Sequence, residues 1–155
     1  FVGYTSKLLI GVYVGLDNPS PLGRYETGSK TALPIFKEFV KKTVNKFYIE
    51  GIGIKCVEEE PWVTVAETNE FVMAAIKADQ LELAKKIFCE SLNISDSCNI
   101  PYMGWQYEEN IFWPDEKPSW TAAALILAAD AIYTFTNGSD VLIKNQTRIF
   151  LSNKQ

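Results

Sequence analysis

Between residues 62 and 136 the sequence gathers carboxylates and aromatic rings, with Glu67, Glu70, Asp115, Glu116 and Asp130 set among Trp62, Trp105, Tyr107, Trp113 and Trp120. That combination can do chemistry. A carboxylic acid held between aromatic walls has its proton affinity raised enough to protonate an alkene or a glycosidic oxygen, and the ring faces stabilise the cation that results. Glu67 and Glu70 lie three apart and share one face of a helix. Trp105, Gln106 and Tyr107 with Trp113 also compose a platform on which a sugar ring can stack. The candidate catalytic groups are therefore Glu67, Glu70, Asp115 and Glu116, and the candidate ligand-binding groups are Trp105, Tyr107, Trp113 and Trp120. The same residues also fit a plainer role. Tryptophans near helix starts often fill cores, and carboxylates just before Pro118 suit a solvated loop or a helix dipole.

Other chemistries are excluded by composition. Histidine is absent, which removes histidine bases, His-based triads and most catalytic zinc sites supplied by this chain. Cys56, Cys89 and Cys98 show no C-x-x-C spacing, so neither a metal site nor a cofactor is expected, and only a Cys89–Cys98 bridge stays open. The net charge is −4 with no basic cluster beyond Lys41–Lys42, which argues against nucleic acid and anionic lipid as partners. Hydrophobic residues at 47% and charged residues at 22% describe a globular chain. The apolar stretch from Trp120 to Phe135 is too short to span a bilayer and carries Asp130, so it reads as a buried helix. Phe1 opens directly into a strand pattern, as expected of the interior of a longer protein.

The elements that must position these groups change style along the chain. Phe1–Tyr4 and Leu8–Val14 are rich in β-branched and aromatic residues and form a hairpin around Thr5-Ser6-Lys7. A loop from Asp17 to Lys30 leads to a helix with Ala32, Ile35, Phe36, Phe39, Val40 and Val44 on one side, and Pro34 in its first turn. The pattern lapses from Glu50 to Glu60. Beyond that point each periodic segment is helical: Thr64–Ala78, then a helix capped by Asp79 with Glu82 completing a capping box, then one from Ser119 to Tyr133. An irregular aromatic-rich loop fills Asn93 to Pro118, and the chain from Asn137 onward is a loose tail apart from a short run at Val141–Ile143.

Two resemblances follow from particular strings. Phe1-Val2-Gly3-Tyr4-Thr5, Gly11-Val12-Tyr13-Val14-Gly15, Gly23-Arg24, Glu26-Thr27-Gly28 and Ala32-x-Pro34-Ile35-Phe36-Lys37-Glu38-Phe39 resemble class A penicillin-binding proteins. The likeness is to the end of their transpeptidase domain and covers residues 1–45. It implies two sheet strands and the C-terminal helix that packs on them. It also implies a peptidoglycan setting, at the periplasmic or outer face of the bacterial inner membrane. The Ser-x-x-Lys motif that carries the nucleophile in that family, and its Lys-Thr-Gly motif, do not occur here, so no catalytic residue carries over and no acylation by β-lactams is expected. Glu67-Thr68-Asn69-Glu70-Phe71, Gly104-Trp105-Gln106-Tyr107, Phe112-Trp113-Pro114-Asp115-Glu116 and Trp120-Thr121-Ala122-Ala123-Ala124 are similar to the closing helices of prenyltransferase-like α/α-toroid proteins.

The expected fold is thus an α+β fragment: a β-hairpin and C-terminal helix of a transpeptidase sheet over residues 1–48, a junction over 49–61, an all-α region of α/α-toroid type over 62–136, and a tail over 137–155. The expected function is that of a non-catalytic end of a peptidoglycan transpeptidase joined to a helical piece. Its expected partners are the upstream transpeptidase segment and either peptidoglycan or a small isoprenoid or glycan ligand. Two alternatives stand beside it: a partial toroid enzyme acting on an isoprenoid or glycan through its carboxylates and aromatics, and a fragment with no independent function.

Overall fold

The computed structural model describes residues 28–143, together with 2–4, 9–11, 14, 18, 20 and 23. Strands β1 (Val2–Tyr4) and β2 (Leu9–Gly11) pair antiparallel, with Val2 opposite Gly11 and Tyr4 opposite Leu9, as the hairpin reading expects. Helix α1 (Gly28–Phe47) begins four residues before Ala32. Pro34 therefore sits inside the helix and not in its first turn, a correction to the expected start. The buried positions of α1 are Ala32, Phe36 and Val40, one per turn, while Ile35 and Phe39 stay largely exposed.

After α1 the chain folds into a short hairpin, β3 (Tyr48–Ile49) and β4 (Gly53–Ile54), around a turn with Gly51 at φ 81°. Strand β5 (Trp62–Thr64) then runs directly into α2 (Val65–Lys77), which turns back as α3 (Leu81–Ser91). Asp79 holds the left-handed conformation at φ 61° between those helices. The expected capping box is not formed. The N-cap of α3 is Gln80, Asp79 pairs with Lys37 of α1 at 2.6 Å, and Glu82 pairs with Lys85 at 2.9 Å.

The stretch expected as an irregular loop contains β6 (Gly104–Gln106) and β7 (Ile111–Phe112), which join β5 in an antiparallel sheet of order β5-β6-β7. Residues 62–136 are consequently mixed α and β, not all-helical. Each strand is only two or three residues long, too short to show an alternating pattern in the sequence. Trp62 lies against Gly104, where an added Cβ would meet its Nε1 at 2.5 Å. The same Nε1 donates to the carbonyl of Trp113 at 2.7 Å, and the Trp113–Pro114 peptide is cis.

Helix α4 (Ser119–Tyr133) follows over the expected span, but it is buried on one side only, a correction to the expected buried helix, and then α5 (Ser139–Ile143) occupies part of the segment read as a loose tail. One apolar cluster joins Phe36 and Val40 of α1, Ile54 of β4, Phe71, Val72 and Ala75 of α2, Ala84, Ile87 and Phe88 of α3, and Ala128 and Ile132 of α4. The helix that the sequence assigns to the first segment thus shares a core with the helices of the second. A smaller cluster of Val63, Val65 and Ile94 sits under the three-stranded sheet, with Ile52, Tyr102, Trp105, Tyr107 and Phe112 packed on it. Among the described residues, no helix is long and apolar enough to cross a membrane.

Candidate functional site

Where α1 ends, the chain needs a tight reversal, and Gly51 supplies the positive φ that allows it. That reversal lays Gly51 and Ile52 beside the last turn of α3. There the chain carries Glu90 on the helix and Asn93 and Ile94 just past it. On the far side stand Trp105 of β6 and Phe112 of β7, which are direct partners in the sheet register. Together these seven residues line an open cleft of about 200 Å³.

The aromatic wall of the cleft is braced in a column. Trp105 meets Phe112 edge-on at 4.8 Å between centroids, and Phe112 stacks on Tyr102 at 3.9 Å and 10°. Lys117 places its ammonium 4.7 Å from the centre of the Tyr102 ring and binds Asp96 at 2.5 Å. Asp96 in turn accepts from the backbone N–H groups of Cys98 and Ile100 at 2.8 and 2.9 Å. The Lys117 ammonium, with the Ile100 and Cys98 amides, holds the Asp96 carboxyl below the ordinary carboxylate range.

The polar side of the cleft is equally fixed. The Tyr48 hydroxyl donates to Glu90, lying 2.9 Å from Oε1 and 2.8 Å from Oε2. Burial first, then the hydrogen bond to Glu90, pushes the Tyr48 phenol above its usual value. Lys86, one turn before Glu90, binds Glu50 at 2.8 Å and sits 5.6 Å from the Tyr48 ring centre. The Lys86 hydrogen bond holds Glu50 below the ordinary carboxylate range, and Glu50 followed by Tyr48 raises Lys86. This arrangement offers an apolar aromatic wall on one side, and a carboxylate and an amide on the other. It can stack a ring and accept hydrogen bonds from hydroxyl groups.

The structure scatters the sequence-expected groups. Trp105 lines the cleft and Tyr107 packs on the cluster beneath the sheet. Trp113 is half-exposed and meets Trp62 edge-on at 5.3 Å, while Trp120 is exposed at the start of α4. Glu67 is half-buried on α2, 3.7 Å from the Cys56 thiol, and Glu70 lies a turn further along the same helix. Asp115 and Glu116 are exposed ahead of α4. Asp130 binds Thr136 through its backbone N–H at 2.7 Å and its hydroxyl at 2.8 Å. Neither Cys89 nor Cys98 is in a disulfide, so the bridge left open by their spacing is not formed. Among the described residues, no group of three or more histidine, cysteine, aspartate or glutamate side chains is placed to hold a metal ion.

Sequence reasoning missed Tyr48, Glu90, Asn93 and Phe112 as members of one site. A signal did exist for part of it. Glu90 and Asn93 interrupt the apolar residues Ile87, Phe88 and Ile94 at the end of a helix, where polar groups can face a shared space. Tyr48 carried no such signal, because its partner lies 42 residues away.

No family model matches the chain. Over 102 residues it is 36% identical to the MMP endo-(1,4)-3-O-methyl-alpha-D-mannosidase of Mycolicibacterium hassiacum, an alignment covering 66% of this chain and 28% of the mannosidase. Over 40 residues it is 52% identical to penicillin-binding protein 1A of Rickettsia bellii, covering 26% of this chain and 5% of that protein. Over 48 residues it is 40% identical to penicillin-binding protein 1A of Aquifex aeolicus, covering 31% of this chain and 6% of that protein. The chain therefore spans little over a quarter of the mannosidase and about a twentieth of the penicillin-binding proteins. It has partial homology to both kinds of protein.

Proposed function

We propose that this chain is a glycan-binding piece of a carbohydrate-acting protein, in which the cleft of Trp105, Phe112 and Glu90 receives one sugar ring. The observation that carries the reading is the cleft itself: an aromatic wall braced from behind, facing a carboxylate held in place by Tyr48. Sugar rings present C–H faces that stack on aromatic groups and hydroxyl rims that pair with carboxylates and amides. A space of about 200 Å³ suits one ring and not a drug-sized molecule, which takes about 300 Å³ or more. The long alignment to a mannosidase favours a glycan over an isoprenoid.

Glycoside hydrolysis generally needs two carboxyl groups flanking the bond. Among the described lining residues Glu90 is the one carboxylate, so these residues bind and orient but do not by themselves cleave. The N-terminal part of the chain, with its strand–strand–helix order, is read as the end of a transpeptidase domain that contributes packing and no catalysis. The 40-residue length of the penicillin-binding match agrees with that span. The helical part is read as hairpins of a larger α/α arrangement, supported by the α2–α3 reversal with α4 packed alongside.

Titration of the chain with an α-(1,4)-linked manno-oligosaccharide, followed by calorimetry and tryptophan emission, tests the reading. Saturable binding is expected, and Trp105→Ala should weaken it about tenfold, since one aromatic contact contributes about 1–2 kcal/mol. If the native chain bound neither this ligand nor neutral glucan or chitin oligosaccharides, the proposal would fail.

A further inference from the structure

We infer that the cleft selects uncharged sugar rings and rejects acidic ones, with Glu90 as the specificity-determining residue and Tyr48 as the residue that positions it. The inference rests on the glycan reading above and adds a rule of ligand charge to it. Three features of the cleft carry it.

First, Glu90 is the only ionisable side chain among the described residues that line the cleft. Second, Lys86, one helical turn before Glu90 and 5.6 Å from the centre of the Tyr48 ring, is engaged by Glu50 at 2.8 Å. To first order those two charges cancel, which leaves the negative charge of Glu90 to set the field inside the cleft. Third, the Tyr48 hydroxyl donates toward both oxygens of Glu90 and fixes the carboxylate as an acceptor. Each carboxylate oxygen keeps further lone-pair capacity, so Glu90 still accepts from ligand hydroxyl groups. A neutral ring offers such donors. A ring bearing its own carboxylate, sulfate or phosphate brings a like charge and no donor in its place. At a separation of about 4 Å in solvent-rich surroundings, that repulsion corresponds to a loss of about fivefold or more in affinity.

Two ligands of equal length separate charge from shape: a neutral α-(1,4)-linked mannotetraose, and the same tetrasaccharide with its primary alcohols oxidised to carboxylates. Binding of each is measured by calorimetry at low and at moderate salt, for the native chain and for Glu90→Gln. The amide keeps the shape and still accepts from Tyr48. The native chain should bind the neutral ligand at least about fivefold tighter than the acidic one, with a gap that shrinks as salt screens the repulsion. Glu90→Gln should narrow the gap by raising affinity for the acidic ligand. Tyr48→Phe, which leaves the charge but frees its orientation, should weaken the neutral ligand and leave the acidic one weak. Equal affinity of the native chain for both ligands would overturn the inference, as would a gap indifferent to salt and to Glu90→Gln. Failure of the native chain to bind either ligand, and neutral glucan and chitin oligosaccharides as well, would instead remove the glycan reading on which the inference rests.

Discussion

Tyr48 stands where α1 gives way to β3, and its hydroxyl is shared between the two oxygens of a carboxylate 42 residues further on. Burial and that partnership raise its proton affinity. A phenol in the unfolded chain ionises near about pH 10, and the folded one keeps its proton to higher pH. The stabilisation is therefore complete below about pH 10 and is lost as pH rises through the raised folded value. Urea unfolding of the native chain and Tyr48→Phe should show a lower midpoint for the variant at neutral pH. That difference should shrink or reverse above about pH 10. A difference that stayed constant across the alkaline range would mean that the hydroxyl contributes nothing through its proton. None of this was legible in the sequence. Trp105 could be picked out because its type announces ring contacts. Tyr48 and Glu90 gain meaning only from one another, and nothing local connects them.

Among the elements, helices α1 to α4 were legible, while α5 and the strands after residue 61 were not. Helix α2 buries Val65, Phe71, Val72 and Ala75, whereas its helical spacing points to Val65, Val72, Met73 and Ile76, of which the last two are only half-buried. Strand β5 finds its partner β6 far along the chain, and β7 closes a local hairpin on β6, so two or three residues suffice in each. The joint between the two kinds of element is Thr68. Its hydroxyl donates to the Thr64 carbonyl at 2.6 Å and accepts from the Ile54 N–H at 3.0 Å, fastening β4 to the first turns of α2. Gly53 makes this approach feasible. It adopts φ 147°, and an added Cβ would lie 2.8 Å from the Thr68 hydroxyl and 3.0 Å from Val63. Gly53→Ala should destabilise the fold by about 2–4 kcal/mol, combining backbone strain with overpacking. A shift in the urea midpoint measures it, and a change below about 0.5 kcal/mol would show that the hairpin and α2 adjust independently.

At the scale of the whole molecule, the sequence suggested two stretches of different origin, and the packing unites their helices. Phe36 and Val40 of α1 enter the same core as α2, α3 and α4, with Lys37 and Asp79 paired at its edge. Periodicity could show that α1 had a buried face but not which surface it would meet. Helix α4 goes further, being apolar almost all round, with Trp120, Ile126, Leu127 and Tyr133 on its outer side. Helices of that composition are usually covered on every side. The chain is expected to associate as its concentration rises, and Ile126→Lys, at a position 65% exposed, should suppress this with little change in stability. Sedimentation velocity over a concentration series decides it; a native chain that stays monomeric throughout would refute the expectation. The edge-on contact of Trp62 and Trp113, with centroids 5.3 Å apart, has a consequence of another kind. Two indoles that close couple their electronic transitions, so the three-stranded sheet carries its own chiroptical label, apart from the helical signal and from Trp105 in the cleft. Whether that exciton band fades before the helices melt, or together with them, reports directly whether the sheet opens as a separate cooperative unit.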